Sequence, residues 1–417
     1  MDRSFHSSRR HFLRHSLGGA AAIGMGVAIP DCLARAAGAN ASSANDRILV
    51  VVQLSGGNDG LNTVVPYADD AYRAARPKLA VSASDILKCD DDTGFHPAMQ
   101  AAYDLLQDGR LSILQGVGYD DPNRSHFESM DIWHTCKRKG EPRPDGWLGR
   151  YLDSHATKSG SDVPAMHLGS EQQPFAIAST RIRVPTVSQL SEFQLLGKDR
   201  QSLRSLLNSN LVNSNLVAEP TPADDLINFL QASTTSALAA SQRVTEASQA
   251  YHSDVKYPDS QFGQRLRVVA QLIDAGLKTR IYYVQLDGFD THAQQSQTHA
   301  ILLRDWSEAV SALVRDLDAH GHAERVCVMT FSEFGRRVAE NASEGTDHGA
   351  AGPMFLCGGG IKAGIVGGPP NLTDLQNGDL KHQIDFRQVY ATVLETWLAA
   401  DSKSVLGGEY KILPLFS

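Results

Sequence analysis

Two carboxylates and an imidazole fall within six residues at Asp287-Gly288-Phe289-Asp290-Thr291-His292. Carboxylate oxygens and imidazole nitrogens are the side-chain donors that hold zinc, manganese, magnesium or calcium. A second set of such donors runs from Ser332-Glu333 to Asp347-His348-Gly349, and a third, Asn58-Asp59, stands in a glycine-rich run. Ser125, in Asn123-Arg124-Ser125-His126, adds a hydroxyl at the predicted start of a helix, where the dipole lowers the cost of an alkoxide. A divalent ion among these groups would polarise an ester oxygen and lower the pKa of a nucleophile. Each piece also has a plainer reading. Asn58-Asp59-Gly60 is a good turn sequence. Ser125 is placed to be an N-cap, with Glu128 three positions on completing a capping box, and that reading is the stronger one from position alone. His126 and His134 read as structural rather than as ligands. Arg336 and Arg337 would bind an anionic ester bidentately, but adjacent arginines after a strand more often lie on the surface, and at least one of them is expected there.

These residues need elements to bring them together. Residues 48–54, 111–117, 280–286 and 326–331 are continuous apolar runs of strand length, as expected of strands buried on both faces. Every polar group named above follows one of the four. Helical patterns cover 97–107, 127–135, 147–155, 261–275, 297–320 and 384–399. Strands alternating with helices imply an α/β fold with a mostly parallel central sheet flanked by helices. In such a sheet the strands' carboxyl ends share one edge, where ligands bind. Shorter strand-like runs lie at 164–169, 174–179 and 183–188, and a hairpin-like return is expected over 361–366. Gly358-Gly359-Gly360 lacks the spacing and the following helix that a dinucleotide site needs.

Composition narrows the setting. The chain has 417 residues, a formal charge of -8 and no basic tract beyond its first fifteen residues, so a nucleic-acid partner is not expected. Ser8-Arg9-Arg10-His11-Phe12-Leu13-Arg14 fits the twin-arginine export pattern, and small-residue cleavage options follow its apolar segment. That segment is too short to span a bilayer, which takes roughly 20 residues. Residues 1–41 are therefore expected to be a signal peptide handled by the twin-arginine export machinery. The protein is then expected to be periplasmic or otherwise exported by that pathway, without a stable membrane span. Residues 46–417 are expected to form a single α/β domain. Within it, 197–276 turns helical and poor in catalytic residue types and reads as an inserted cap, with one long helix over 224–250. No C-x-x-C occurs, so a thiolate zinc site is not expected, and a Cys89–Cys136 disulfide is the less favoured reading.

The order and spacing of the strand-end residues resemble the alkaline phosphatase superfamily, which includes sulfatases. More closely, the mature chain resembles the bacterial twin-arginine-exported family known as domain of unknown function 1501. The residues that carry the closer match are LSGGNDGLNTVVP (54–66), NRSHF (123–127), GFDTH (288–292), SEFGRR (332–337), TDHG (346–349) and DFRQVY (385–390). The superfamily resemblance implies an alkaline-phosphatase-like fold and a first-strand acidic ligand at Asp59. It implies a nucleophile at Ser125, a ligand pair from Asp287 or Asp290 with His292, and further ligands at Glu333 and His348. Asn58 and Arg336 are the candidate substrate-binding residues. The cofactor implied is a divalent ion such as zinc, manganese or calcium, and the substrate a small anionic ester. Phe334 departs from the pattern, because it stands where the superfamily has a histidine or asparagine ligand beside Glu333. The function expected is exported, metal-dependent hydrolysis of phosphate or sulfate esters. The alternative is a non-catalytic envelope binding protein that keeps the fold with a degenerate metal site.

Overall fold

The computed structural model describes residues 46–155, 163–187 and 251–417. The expected signal peptide lies outside the described residues, as does the 197–250 part of the expected insertion with its predicted helix over 224–250. Among the described residues the main sheet has nine strands. They are β1 (Ile48–Ser55), β2 (Leu111–Gly118), β3 (Ala165–Leu168), β4 (Thr186–Val187), β5 (Ile281–Asp287), β6 (Val326–Phe331), β7 (Gly352–Gly358), β8 (Gly364–Val366) and β9 (Ile384–Asp385). Their order is β8-β2-β7-β6-β1-β5-β3-β4, with β9 also pairing with β2. Only β7 runs antiparallel, against both β2 and β6. The other pairings are parallel, so β1, β2, β5 and β6 point the same way and end on one edge.

The apolar runs form these strands because both faces of the sheet are covered. Val50, Val52 and Leu54 of β1 join one core, while Leu49 and Val51 join the other, as the two-residue period of a strand requires. On the first face pack α2 (Gln100–Gln107), α5 (Gln261–Asp274) and α6 (Gln295–Ala319), which supply Leu266, Trp306 and Leu313. On the second pack α3 (His126–Thr135), α4 (Trp147–Ser154) and α7 (Phe386–Thr392). There Trp133 stacks between Phe331 and Phe386, and Trp147 on Tyr390. A short helix, Asp70–Ala75, and a small three-stranded sheet fill the stretch between β1 and α2. No helix among the described residues is long and apolar enough to cross a membrane.

Three expectations change. Residues 174–179 form a 3-10 turn, Phe175–Ile177, instead of a strand. The amide of Gly146 at the start of α4 takes the Ala178 carbonyl at 2.9 Å, so this backbone is met by a helix end rather than by a sheet neighbour. The return over 361–366 is no hairpin. β7 already has β2 and β6 on its two sides, so β8 crosses to pair parallel with β2. The C-terminal helix is shorter than its pattern, because α7 passes into a π turn at Val393–Trp397. All four cysteines among the described residues are free.

Candidate metal centre

The loop after β1 must thread between the loops after β5 and β6, and its glycines permit this. A Cβ on Gly56, which has φ +115°, would lie 2.4 Å from the backbone nitrogen of Asp290. One on Gly57 would lie 2.3 Å from the Phe334 ring. Side chains there would push the strand-end loops apart.

Four side chains from three of these loops converge. Asp290 and His292 follow β5, His348 lies between β6 and β7, and His126 opens α3 after β2. Asp290 Oδ1 is 3.0 Å from His292 Nε2, 3.1 Å from His348 Nε2 and 3.4 Å from His126 Nε2. The Nε2 atoms of His292 and His348 are 2.9 Å apart. His126, Asp290 and His348 together have the spacing of a cation site.

The tautomers favour that use. His348 Nδ1 lies 2.8 Å from the Arg124 carbonyl, which only accepts, so Nδ1 carries the proton and Nε2 turns its lone pair inward. His126 Nδ1 donates to Glu333 Oε1 at 2.9 Å. Its Nε2 is buried and has no hydrogen-bond partner among the described residues. His292 Nδ1 is 3.5 Å from Asp347 Oδ1. An acceptor behind each ring is the arrangement that orients metal-binding imidazoles. The His348 Nε2 lone pair and the Asp290 carboxylate repel at 3.1 Å, and a shared cation removes the repulsion. Bonds of 2.0–2.1 Å in a tetrahedral zinc site put neighbouring donors about 3.3 Å apart, close to the separations seen here. His126, Asp290 and His348 therefore fit one divalent ion, with His292 beside Asp290 and His348 but outside that three-residue group.

Charge around the cluster is organised by buried groups. Burial pushes the Asp290 carboxyl up, but the hydrogen bond from Arg336 and the nearby positive charges outweigh it and hold it at about 2. The Glu333 hydrogen bond raises His126 against the opposing effect of burial, whereas burial lowers His348. Arg336, the expected substrate-binding arginine, is fully buried. It donates to the carbonyls of Gly57 at 2.7 Å, Thr346 at 2.8 Å and Phe289 at 3.0 Å, to the Gly56 carbonyl, and to Asp290 Oδ1 at 2.7 Å. Each nitrogen of its guanidinium thus donates within the protein, joining the three loops behind Asp290. Arg337 is half-buried, 3.7 Å from Asp379.

The predicted residues divide accordingly. Asp290, His292 and His348 meet in the cluster. Glu333 stands one layer behind it, buried, accepting from His126 and from the Gly56 amide at 2.9 Å. Asp287 ends β5 exposed, in register with Ser55, and is not among the converging groups. Asp59 is not among them either. It is buried and its Oδ2 is 2.6 Å from Arg76 Nη1, with Gln295 donating to the same oxygen. Burial raises its pKa, but Arg76, His299 and Gln295 bring it below the usual carboxylate value. Asn58 is buried beside it, its Oδ1 bonded to Thr63 and to His299, and it has no open face for a substrate. Ser125 is exposed and occupies the N-cap position of α3 without capping it. Glu128 pairs with Arg143 at 2.6 Å, so the expected capping box does not form and the Ser125 hydroxyl is left uncommitted. Phe334 packs on His126 and His348, with ring centres 4.9 and 4.7 Å away, and closes one side of the cluster.

His126 is the residue that sequence reasoning set aside. Its signal was its place directly after Ser125 at a strand-end helix start. Arg76, Gln295 and His299, which surround Asp59 and Asn58, carried no motif of their own.

The fold and the cluster define an α/β protein with a candidate mononuclear centre at the carboxyl edge of a mostly parallel sheet. Residues 46–409 match the family described as "Protein of unknown function (DUF1501)", and the chain belongs to that family. No curated protein matches it in sequence. Among solved structures it is similar to a sulfatase from Pseudoalteromonas sp., at 10% identity and a TM-score of 0.43 over 93% of this chain and 75% of that one. It is also similar to the C-terminal periplasmic domain of EcEptC from Escherichia coli, at 10% identity and a TM-score of 0.34 over 75% of this chain and 72% of the other. A third similar structure is a protein in the alkaline phosphatase superfamily from Vibrio parahaemolyticus, at 7% identity and a TM-score of 0.31 over 78% and 63%.

Proposed function

We propose that this protein is a metal-dependent hydrolase of phosphate or sulfate esters, working at a single ion held by His126, Asp290 and His348, with His292 beside them. The observation that carries the reading is the convergence of these four groups, each imidazole backed by an acceptor. A divalent ion there supplies Lewis acidity toward an ester oxygen. Ser125 is the candidate nucleophile. Its hydroxyl is uncommitted, it is adjacent in sequence to His126, and it stands at the N-terminus of a ten-residue helix, whose amides favour an anion. Its oxygen would form a bond to phosphorus or sulfur while the bond to the leaving oxygen breaks, and water would then release the inorganic anion. Glu333 and Arg336 act through others, Glu333 by fixing the His126 ring and Arg336 by fixing Asp290. Asp287 and Asp59 are not used, since Asp287 is exposed apart from the cluster and Asp59 is already paired with Arg76.

The twin-arginine pattern at Ser8–Arg14 supports export to the periplasm as part of the same reading, with 46–417 as the exported domain and 197–276 as its helical insertion. A second reading, a non-catalytic envelope binding protein, is favoured by Phe334 closing one side of the cluster and by the neutralised Asp59.

The test is turnover of 4-nitrophenyl phosphate, its diester and 4-nitrophenyl sulfate with added zinc, manganese or calcium, wild type against Ser125→Ala. At least a hundredfold lower kcat is expected in the variant, as for loss of an essential nucleophile, which costs about 10⁶ in a well-studied serine enzyme. Equal rates in the two proteins would remove Ser125 from the mechanism, and no turnover in either would favour the binding reading.

A further inference from the structure

A cavity of about 330 Å³ opens beside the proposed centre. It is lined by Asn123 and Arg124 just ahead of α3, by Ala350 just past His348, and by Gln376, Asn377 and Asp379 of a small hairpin. It shares a wall with the centre, because the Arg124 carbonyl is the acceptor that holds His348 Nδ1. A group in the cavity is therefore flanked by the residues on either side of the candidate nucleophile and ligand. The volume falls at the lower end of the roughly 300–1,000 Å³ common for ligand pockets.

The lining states what chemistry fits. Asp379 is buried, with Oδ2 accepting from Arg124 Nε at 2.8 Å. Its Oδ1 is also buried and has no hydrogen-bond partner among the described residues, with Arg337 Nε 3.7 Å away. The amides of Gln376 and Asn377 offer donors and acceptors together. Counting Asp121, which also lines the space, and Arg337 beside Asp379, two carboxylates meet two guanidiniums, so the cavity has no excess positive charge to hold a second anionic group. No aromatic ring lines it to stack on a nucleobase or an aryl group, and its apolar lining is limited to Pro122 and Ala350. A buried acceptor awaiting a donor, with free amides beside it, suits neutral hydroxyl groups.

We infer that this cavity takes a neutral, hydroxyl-rich alcohol of hexose size, the alcohol portion of the ester cleaved at the neighbouring centre; the inference rests on the hydrolase reading for that last part. Asp379 Oδ1 accepts from one hydroxyl, and Gln376 and Asn377 bridge others.

The test uses the full chain and two readouts. One is saturation-transfer NMR with D-glucose, D-galactose and L-fucose, with phenol and adenosine as controls. The other is the ratio of kcat/KM for hexose phosphates and sulfates to that for the 4-nitrophenyl esters. The variants are Asn377→Gly and Gln376→Ala. Asn377 has φ +56°, so glycine removes the amide without straining the backbone. The expected result is saturable hexose binding in the wild type that weakens at least about tenfold in each variant, with a similar fall in the ratio, the size of one lost hydrogen bond to a substrate hydroxyl. Hexose binding lost in the variants supports the cavity assignment even where no ester turns over, an outcome that would sink the hydrolase reading alone. Ester turnover with no hexose binding and an unchanged ratio overturns the cavity assignment and leaves the hydrolase reading standing. Absence of both overturns both.

Discussion

The second nitrogen of each imidazole is what separates this cluster from a chance meeting of polar side chains. His126 leans on Glu333, His348 on the Arg124 carbonyl and His292 on Asp347. Glu333→Gln keeps the shape of that support but removes its charge. It is expected to weaken zinc or manganese binding by about 10- to 100-fold, the usual cost of losing an outer-layer partner. Competition with a chromophoric chelator measures it, and an unchanged affinity would mean that Glu333 only packs. At this scale the sequence was readable in part. Asp290, His292 and His348 could be picked out because each follows a strand end in a tight polar run. His126 could not, because a histidine on the first turn of a helix looks the same whether it faces solvent or a cluster. Arg336, expected to bind substrate, could not be read as a residue that joins loops, for a related reason. Two adjacent arginines resemble surface charge until the carbonyls of three loops are known to surround one of them.

At the level of elements, the loops matter more than the strands they follow. The four strands β1, β2, β5 and β6 were legible because long apolar runs leave few alternatives, and their common edge followed from parallel order. What the loops do to each other was not legible, since close approach depends on partners distant in sequence. Gly56 shows the consequence. With a Cβ only 2.4 Å from the Asp290 amide, Gly56→Ala must displace either loop, and its φ of +115° is itself strained for alanine. The variant is expected to lose roughly 1–3 kcal/mol of stability in denaturant titration. It should also bind metal at least several-fold more weakly with its far-ultraviolet circular dichroism unchanged. Wild-type affinity in a folded variant would show that the loop does not position Asp290. The helical pattern at 261–275 likewise became α5, whereas 174–179 could not be read, because its backbone partner is the start of α4 rather than a strand.

Taken as a whole, the molecule buries several neutral histidines away from the cluster. Burial lowers His134 to about 3, and His167 and His299 to about 4. His134 is held between Gln53 and Tyr283, and His299 beside Asn58. As pH falls below about 6.5, the unfolded chain takes up these protons and the folded chain does not. Stability is therefore full above that pH and declines as the pH drops toward 4, by up to about 1.4 kcal/mol per pH unit for each such histidine. His134→Asn should flatten that decline in denaturant midpoints between pH 6.5 and 4.5, and an equally steep decline would show that His134 is not one of the groups responsible. The same buried polar layer explains why Asp59 misled. Its strand-end position suited a ligand, but Arg76, from a short helix that no motif marked, neutralises it. The proposed chemistry depends on one ion at the strand-end cluster. The most direct measurement is metal content by mass spectrometry on protein purified without chelator, wild type beside His348→Ala. Close to one divalent ion per chain is expected in the wild type, and its loss in the variant. Less than about half an equivalent, or an equal content in both proteins, would contradict it.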